Sequence, residues 1–319
     1  MGVISGGSGG GGGGAVILRV NGLYGTSISA TLGSKTVSGT IPYAGVLELS
    51  LGKVGQWAVT ASKSGYSFTQ QVKAFTYGIT EIWALAKKAF YDCTTTEIQA
   101  IAKSGMASQY WAVGDYHKIT MKTGEEIEVA IGDFNHDVTP GGATIPVTLV
   151  MKQAFKDGGR IHSSASTVGG YPACEFRTSV LPSILSNFPD EWQNIMATAR
   201  KNSIAYSSSG HPIVTSDDKL WMLSAQEVVG TTALSEGFAC YDDGSSLYPI
   251  FSSNDARIRS DTTGTLCAWW VRSPRANYGQ YSSYCLVRTS GTVVSSDNNA
   301  SASSVYSMPM KYCLGFCVG

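Results

Sequence analysis

Charge is scarce in this chain. Of its 319 residues, 23 are Lys or Arg and 23 are Asp or Glu, so charged residues make up 14% and the formal net charge is zero. An ordinary soluble domain carries roughly 25%. The balance excludes the basic face that a nucleic-acid protein needs to neutralise phosphates. It also removes long-range steering of charged partners. Histidine is scarcer still: residues 117, 136, 162 and 211, none paired at ligand spacing, which argues against a zinc centre. No apolar run reaches about 18 residues, so no helix is expected to insert in a membrane. The N-terminus lacks the Lys/Arg start and apolar stretch of a signal peptide. The expectation is a chain made in a cytoplasm and not exported by the general route. The cysteines, at 93, 174, 240, 267, 285, 313 and 317, form no CxxC pair. Buried free thiols are the reading, with a Cys313–Cys317 bridge as the lesser alternative.

What is abundant sets the organisation. Apolar residues reach 43%, ample for a core, and the length suggests two domains at about 150 residues each. Residues 1–14 are nearly all Gly and Ser and read as a flexible leader. Within it Gly6-Gly7-Ser8-Gly9-Gly10 matches the nucleophile-elbow pattern and Gly9 to Gly14 matches GxGxxG. Both patterns need a preceding strand and a following helix, and neither is available there. Residues 15–86 read as seven short strands separated by Gly, from Ala15–Val20 to Thr80–Leu85, with clear alternation in Ser27–Leu32 and Trp57–Ala61. That spacing predicts an all-β, Ig-like sandwich. It carries five basic and two acidic residues and no His, so a spacer or docking role fits it better than catalysis.

The pattern then changes. Thr94-Thr95-Thr96-Glu97 is a capping box with Ile98, Ile101 and Ala102 at helical spacing behind it, so 87–104 reads as a helical linker. Residues 105–319 read as an α+β domain. Strands flank the turn Lys122–Glu125, another covers Val147–Met151, and Pro189-Asp190-Glu191 opens a helix. Lys219–Leu223 is a strand, and Ser224-Ala225-Gln226-Glu227 is a second capping box.

The sharpest polar cluster is Asp133-Phe134-Asn135-His136-Asp137. Its alternating oxygens begin like an EF-hand loop, but the sixth position is Val138 and the twelfth Thr144, which rejects that motif. A different Ca²⁺ loop using Asp133, Asn135 and Asp137 stays open as a weak alternative, and a hydrogen-bonded turn is the simpler reading. No other cofactor is expected. Glu175 and Arg177, with Arg272, are expected to wire a buried ion pair, and of Trp269 and Trp270 one is expected in the core and one nearer the surface. For binding, the favoured stretch is 275–310. Between 262 and 310 only Arg272, Arg275, Arg288 and Asp297 carry charge, against ten Ser, three Asn and four Tyr. Tyr gives large rigid contact area and Ser/Asn adaptable hydrogen bonds, a composition that also suits sugars. The expected ligand-binding residues are Arg275, Asn277, Tyr278, Tyr281, Tyr284, Asn298, Asn299 and Tyr306.

A family resemblance runs through the second domain. It is carried by Thr95-Thr96-Glu97-Ile98, Ala107–Asp115, Gly124-Glu125, Ile131–Asp137, Glu175–Thr178, Asp218–Trp221, Glu227–Gly230, Trp269–Pro274 and the closing Gly315-Phe316-Cys317-Val318. In order and spacing, residues 92–319 resemble the DUF6273 family of gut Firmicutes and their prophages. The first domain is similar to the Ig-like repeats of phage tail proteins. The resemblance implies a C-type-lectin-like or formylglycine-generating-enzyme-like fold. It further implies a variable loop of the kind that diversity-generating retroelements target, placed at 275–310. The function implied is host attachment: a virion protein of the phage tail, a receptor-binding adhesin for a host cell-surface glycan or protein. Its N-terminal region would meet other tail proteins, and such proteins are commonly homotrimers. Two further readings stand beside it. One is a cell-wall or glycan hydrolase using Asp133, His136 and Asp137; the other is a bacterial surface ligand-binding protein.

Overall fold

Strands whose residues alternate between apolar and small polar can bury one face only, so they need a second sheet to cover it. The first eighty-odd residues do this. The structure, a computed structural model, describes residues 15–22, 24–64, 66–68, 70–84, 86–162, 166–206, 210–276, 283–295, 304–305 and 308–319; the Gly-rich leader lies outside them. Nine strands precede Ala89: β1 (Val16–Gly22), β2 (Ser27–Leu32), β3 (Lys35–Thr40), β4 (Val46–Ser50), β5 (Gly55–Ser62), β6 (Ser67–Phe68), β7 (Gln71–Phe75), β8 (Gly78–Ala84) and β9 (Ala86–Lys87). One sheet has the order β4-β1-β8, with β1 antiparallel to β4 and parallel to β8. The other, β3-β2-β5-β7, is antiparallel throughout. Leu18, Val20, Ile28, Ala30, Leu49, Trp57, Val59, Phe75 and Ile82 form the shared core. Trp57 is fully buried and its indole N–H donates to the Lys53 carbonyl at 3.1 Å, which satisfies the one polar atom it brings inside. The architecture is β-rich and sandwich-like.

The chain divides into two compact units between Lys88 and Ala89. The helix expected as a linker belongs to the second. α1 (Thr95–Lys103) starts at Thr94, whose hydroxyl accepts from the Glu97 N–H while the Glu97 carboxylate accepts from the Thr94 N–H. This is the capping box read in the sequence. Ile98, Ile101 and Ala102 are buried, and Gln99 Nε2 donates to the Gly319 carbonyl at 3.2 Å. Five short helices follow: α2 (Ala107–Tyr110), α3 (Gly170–Ala173), α4 (Leu181–Asn187), α5 (Asp190–Ile195) and α6 (Ala225–Val229). Pro189 precedes α5, and Ser224 with Glu227 makes the second capping box at α6.

The strands of this unit are β10 (Tyr116–Thr120), β11 (Glu126–Phe134), β12 (Val147–Met151), β13 (Met196–Ala197), β14 (Ala199–Ile204), β15 (Ile213–Asp218), β16 (Trp221–Met222), β17 (Arg259–Ser260), β18 (Leu266–Pro274), β19 (Tyr284–Val287), β20 (Val293–Ser295), β21 (Ser304–Val305), β22 (Met308–Lys311) and β23 (Leu314–Val318). The main sheet has the order β10-β11-β12-β23-β13, with β16 also on β23. All residues of β12 and β23 are buried, which is why they read as continuous apolar runs without alternation. A second sheet has the order β20-β19-β18-β22-β21, with β17 also on β18; β14 and β15 form a separate hairpin.

Both Trp269 and Trp270 are fully buried, contrary to the expectation that one would lie nearer the surface. They do point to opposite faces of β18, but both faces are covered. Their indole N–H groups donate to the Arg257 carbonyl at 3.1 Å and the Gly159 carbonyl at 2.8 Å. All seven cysteines are buried thiols. Cys313 and Cys317 cannot bridge, because Cys317 ends four residues of extended strand beyond Cys313, roughly 13 Å at 3.3 Å per residue. Their sulfurs meet different neighbours, the Met151 carbonyl and Thr148.

Candidate functional site

The second sheet presents the residues expected to bind. Eight of the nine residues of β18 and all four of β19 are buried, so the framework is packed on both faces. At the Pro274 end of β18 the Arg275 N–H donates to the Ser283 carbonyl at 3.1 Å, which closes the base of segment 277–282. Cys285 lies opposite Ser295, so segment 296–303 departs from the same edge. β22 runs parallel to β18 with Ala268 opposite Met310, and its start therefore lies toward the Leu266 end. The flanks of residues 306–307 are thus at the other end of the sheet. Of the expected contact residues, Asn277, Tyr278, Tyr281, Asn298, Asn299 and Tyr306 lie outside the described residues. Arg275 is half-buried with its guanidinium 4.9 Å from the centre of the Phe238 ring. Tyr284 is a correction: it is fully buried in β19, and its hydroxyl has no hydrogen-bond partner among the described residues. Burial pushes its phenol far up, so it is a neutral core residue.

Beneath this sheet lies a buried array of four charges. Lys201 Nζ sits 2.5 Å from Asp137 Oδ1 and 2.5 Å from Glu227 Oε1. Arg272 grips Glu227 with two parallel bonds, Nη1 to Oε2 at 2.6 Å and Nη2 to Oε1 at 2.9 Å. Its remaining donors reach the Asn202 and Met222 carbonyls and the Ser245 hydroxyl. Tyr248 and Thr148 donate to Asp137 Oδ2 at 2.9 and 2.6 Å. Two acids and two bases cancel, as burial requires. Burial alone pushes the Glu227 carboxyl up, but Arg272 and Lys201 outweigh it and hold it well below its ordinary range. Burial pushes Lys201 down, and Glu227 and Asp137 reverse this and leave it raised. The phenol of Tyr248 is pushed far up, first by burial and then by the two carboxylates. Arg272 therefore pairs with Glu227, in place of the expected Glu175 and Arg177. Arg177 bonds Asp218 at 2.9 Å, and Glu175 meets Arg160 at 3.6 Å.

The Asp133–Asp137 turn forms the rim of this array. Asn135 has φ 55°, a left-handed conformation that Asn tolerates better than most residues. The turn sends its acids apart. Asp137 goes inward to Lys201, whereas Asp133 Oδ1 accepts from the Phe134 N–H and Oδ2 lies 2.7 Å from His136 Nδ1. Asp133 and Asp137 thus spend their oxygens on different protein partners, and among the described residues no cluster of His, Cys, Asp and Glu is arranged to hold a metal ion. The other face of His136 was not foreseen: Nε2 lies 3.0 Å from the hydroxyl of exposed Ser246, 110 residues away. The ring packs on Tyr248 with centroids 4.4 Å apart. Lys201, Tyr248 and Ser246 carried no motif, and nothing in their neighbourhoods in the sequence marks them.

A family model described as "Domain of unknown function (DUF6273)" matches residues 146–308, half of the chain. No curated protein and no solved structure matches it.

Proposed function

The chain belongs to the DUF6273 family, and from that premise we propose that it is a receptor-binding adhesin whose second unit recognises a ligand on a host cell surface. The observation that carries the reading is the shared edge of β18, β19 and β20. A framework with almost no exposed residue holds both flanks of 277–282 beside the residue that leads into 296–303. Those two segments contain Tyr278, Tyr281, Asn277, Asn298 and Asn299 and a single charge, Asp297. Buried support next to segments rich in Tyr, Asn and Ser and poor in charge suits recognition of a sugar or a protein patch with little steering by charge. The buried charges favour this reading as well, since Asp137, Lys201, Glu227 and Arg272 neutralise one another out of reach of any substrate.

In the full proposal the fold of the second unit is C-type-lectin-like and that of the first is Ig-like. The first unit serves as a spacer that meets other proteins of a phage tail, in a homotrimer carried on the virion. The test is adsorption of the fluorescently labelled full chain to intact gut Firmicutes cells. Replacing residues 277–282 by a Gly/Ser segment of equal length is expected to abolish adsorption while the melting temperature stays within a degree or two. Adsorption at the parental level would refute the reading.

A further inference from the structure

We infer that Asp133, His136 and Ser246 form a nucleophilic relay that cleaves short-chain acyl esters. The three side chains are collinear in hydrogen bonding: Asp133 Oδ2 to His136 Nδ1 at 2.7 Å, then His136 Nε2 to Ser246 Oγ at 3.0 Å. A carboxylate only accepts, so Nδ1 carries the proton and Nε2 is left as the acceptor. The Ser246 hydroxyl therefore donates to Nε2, the arrangement in which an imidazole can take that proton as general base. The nucleophile is open to a substrate and the base is largely shielded: Ser246 is exposed, the His136 side chain is 11% exposed and that of Asp133 is 23% exposed.

The buried charge array explains how two distant loops keep this register. Asp137 follows His136 in sequence, and Tyr248 stands two residues after Ser246. The Tyr248 hydroxyl donates to Asp137 Oδ2 at 2.9 Å, and its N–H donates to the Glu227 carbonyl at 2.9 Å. The Tyr248 ring also carries the His136 imidazole. Asp137 and Tyr248 are positioning residues here, and they tie the base-bearing loop to the nucleophile-bearing loop. The Ser246 loop is itself built by side-chain caps: Gly244 N–H donates to Asp242 Oδ1 at 2.8 Å and Ser245 N–H to Asp243 Oδ1 at 3.0 Å. The N–H groups of Ser246 and Leu247 make no hydrogen bond among the described residues, and they are the nearest free donors in sequence for a developing oxyanion.

The chemistry balances with water as the second reactant. Ser246 Oγ attacks the acyl carbon while its proton passes to His136 Nε2, and Asp133 stabilises the imidazolium. The ester C–O bond breaks, the proton moves from Nε2 to the departing alkoxide, and an acyl-Ser246 remains. Water attacks that acyl group and gives a proton to Nε2. The Ser246–acyl bond breaks, the serine oxygen recovers the proton, and a carboxylic acid leaves. With the Asp133 carboxylate behind His136 and Asp242 in the nucleophile's own loop, an anionic acyl group is disfavoured, and the substrate taken is a small neutral acyl ester such as an acetate.

The experiment uses the full chain with p-nitrophenyl acetate and, separately, a fluorophosphonate probe read by peptide mass spectrometry. The parent is expected to turn over the ester and to carry the phosphonyl adduct on Ser246. Ser246→Ala should reduce turnover to the buffer rate; as Ser246 is exposed, its melting temperature checks that the fold is kept. His136→Gln and Asp133→Asn should slow both turnover and labelling by roughly 10²–10⁴-fold. A hydrogen bond that only tethers the loops would give no adduct at Ser246 and equal turnover in parent and Ser246→Ala, and either result overturns the proposal. Adsorption to cells is a separate readout, so failure here leaves the recognition reading to its own test.

Discussion

Glu227 is the residue on which the second unit depends most. It caps α6 through the Ser224 N–H at 2.8 Å, and it holds Lys201 and Arg272 at the same time. Breaking a buried pair costs more than the pair contributes, because the abandoned charge stays buried. Glu227→Gln leaves Lys201 and Arg272 with Asp137 as their one remaining carboxylate in the array. It is expected to lower unfolding free energy by about 3–5 kcal/mol in urea titrations. A loss below about 1 kcal/mol would mean that the array is solvated. The sequence showed Glu227 clearly as half of a capping box and offered Arg272 for a buried ion pair, but with Glu175 and Arg177 as its company. Lys201 and Arg272 lie 26 and 45 residues from Glu227, on β14 and β18, and Lys201 stands in no motif. The same holds for Ser246, whose Ser/Asp/Gly loop looks like any solvated turn until the fold sets it against His136. Tyr284 misled for a related reason: a Tyr beside Ser and Asn resembles a contact residue, but it opens a strand covered on both faces.

At the scale of elements, alternation and capping were legible and closure of the sheets was not. Ser27–Leu32 and Val147–Met151 fall where the sequence placed them, because period-two alternation and a short apolar run both mark strands. The three expected helix starts are present: both capping boxes form, and at α5 Pro189 stands one residue ahead of the helix, with Asp190 and Glu191 in its first turn. The central position of β23 could not be read locally. Its pairing with β12, β13 and β16 joins residues more than a hundred apart to the last residues of the chain, except for the nearer β16. Gly315 fits there because a Cβ would come within 3.2 Å of the Trp221 indole nitrogen. Removing residues 314–319 therefore exposes both β12 and β16 in the middle of the main sheet. The truncated chain is expected to lose the cooperative unfolding transition of the second unit, seen as loss of near-ultraviolet circular dichroism from the buried Trp residues. Retention of that signal would show that β23 is dispensable.

At the scale of the whole molecule, the shortage of charge is uneven. Segment 15–86 carries five basic and two acidic residues, and residues 262–310 carry four charges in all. Within the second unit much of what charge there is lies inside, and this sets the response to pH. Glu227 is held below its ordinary value of 4.5, so its contribution to stability is complete above that value and is lost as pH falls through its depressed one. Lys201 is held above 10.5, so its contribution is complete below that value and is lost as pH rises past the raised one. The melting temperature is expected to stay level through neutral pH and to drop below about pH 4, with Glu227→Gln flattening the acid limb. The central claim concerns the surface that the β18–β20 edge supports. It is tested most directly by equilibrium adsorption of the labelled full chain to intact gut Firmicutes cells, comparing the parent with the triple variant Tyr278→Ala, Tyr281→Ala, Asn299→Ala. A fall in affinity of at least about a hundredfold, the loss of two aromatic anchors, at an unchanged melting temperature is the predicted result; equal adsorption by the two proteins would contradict it.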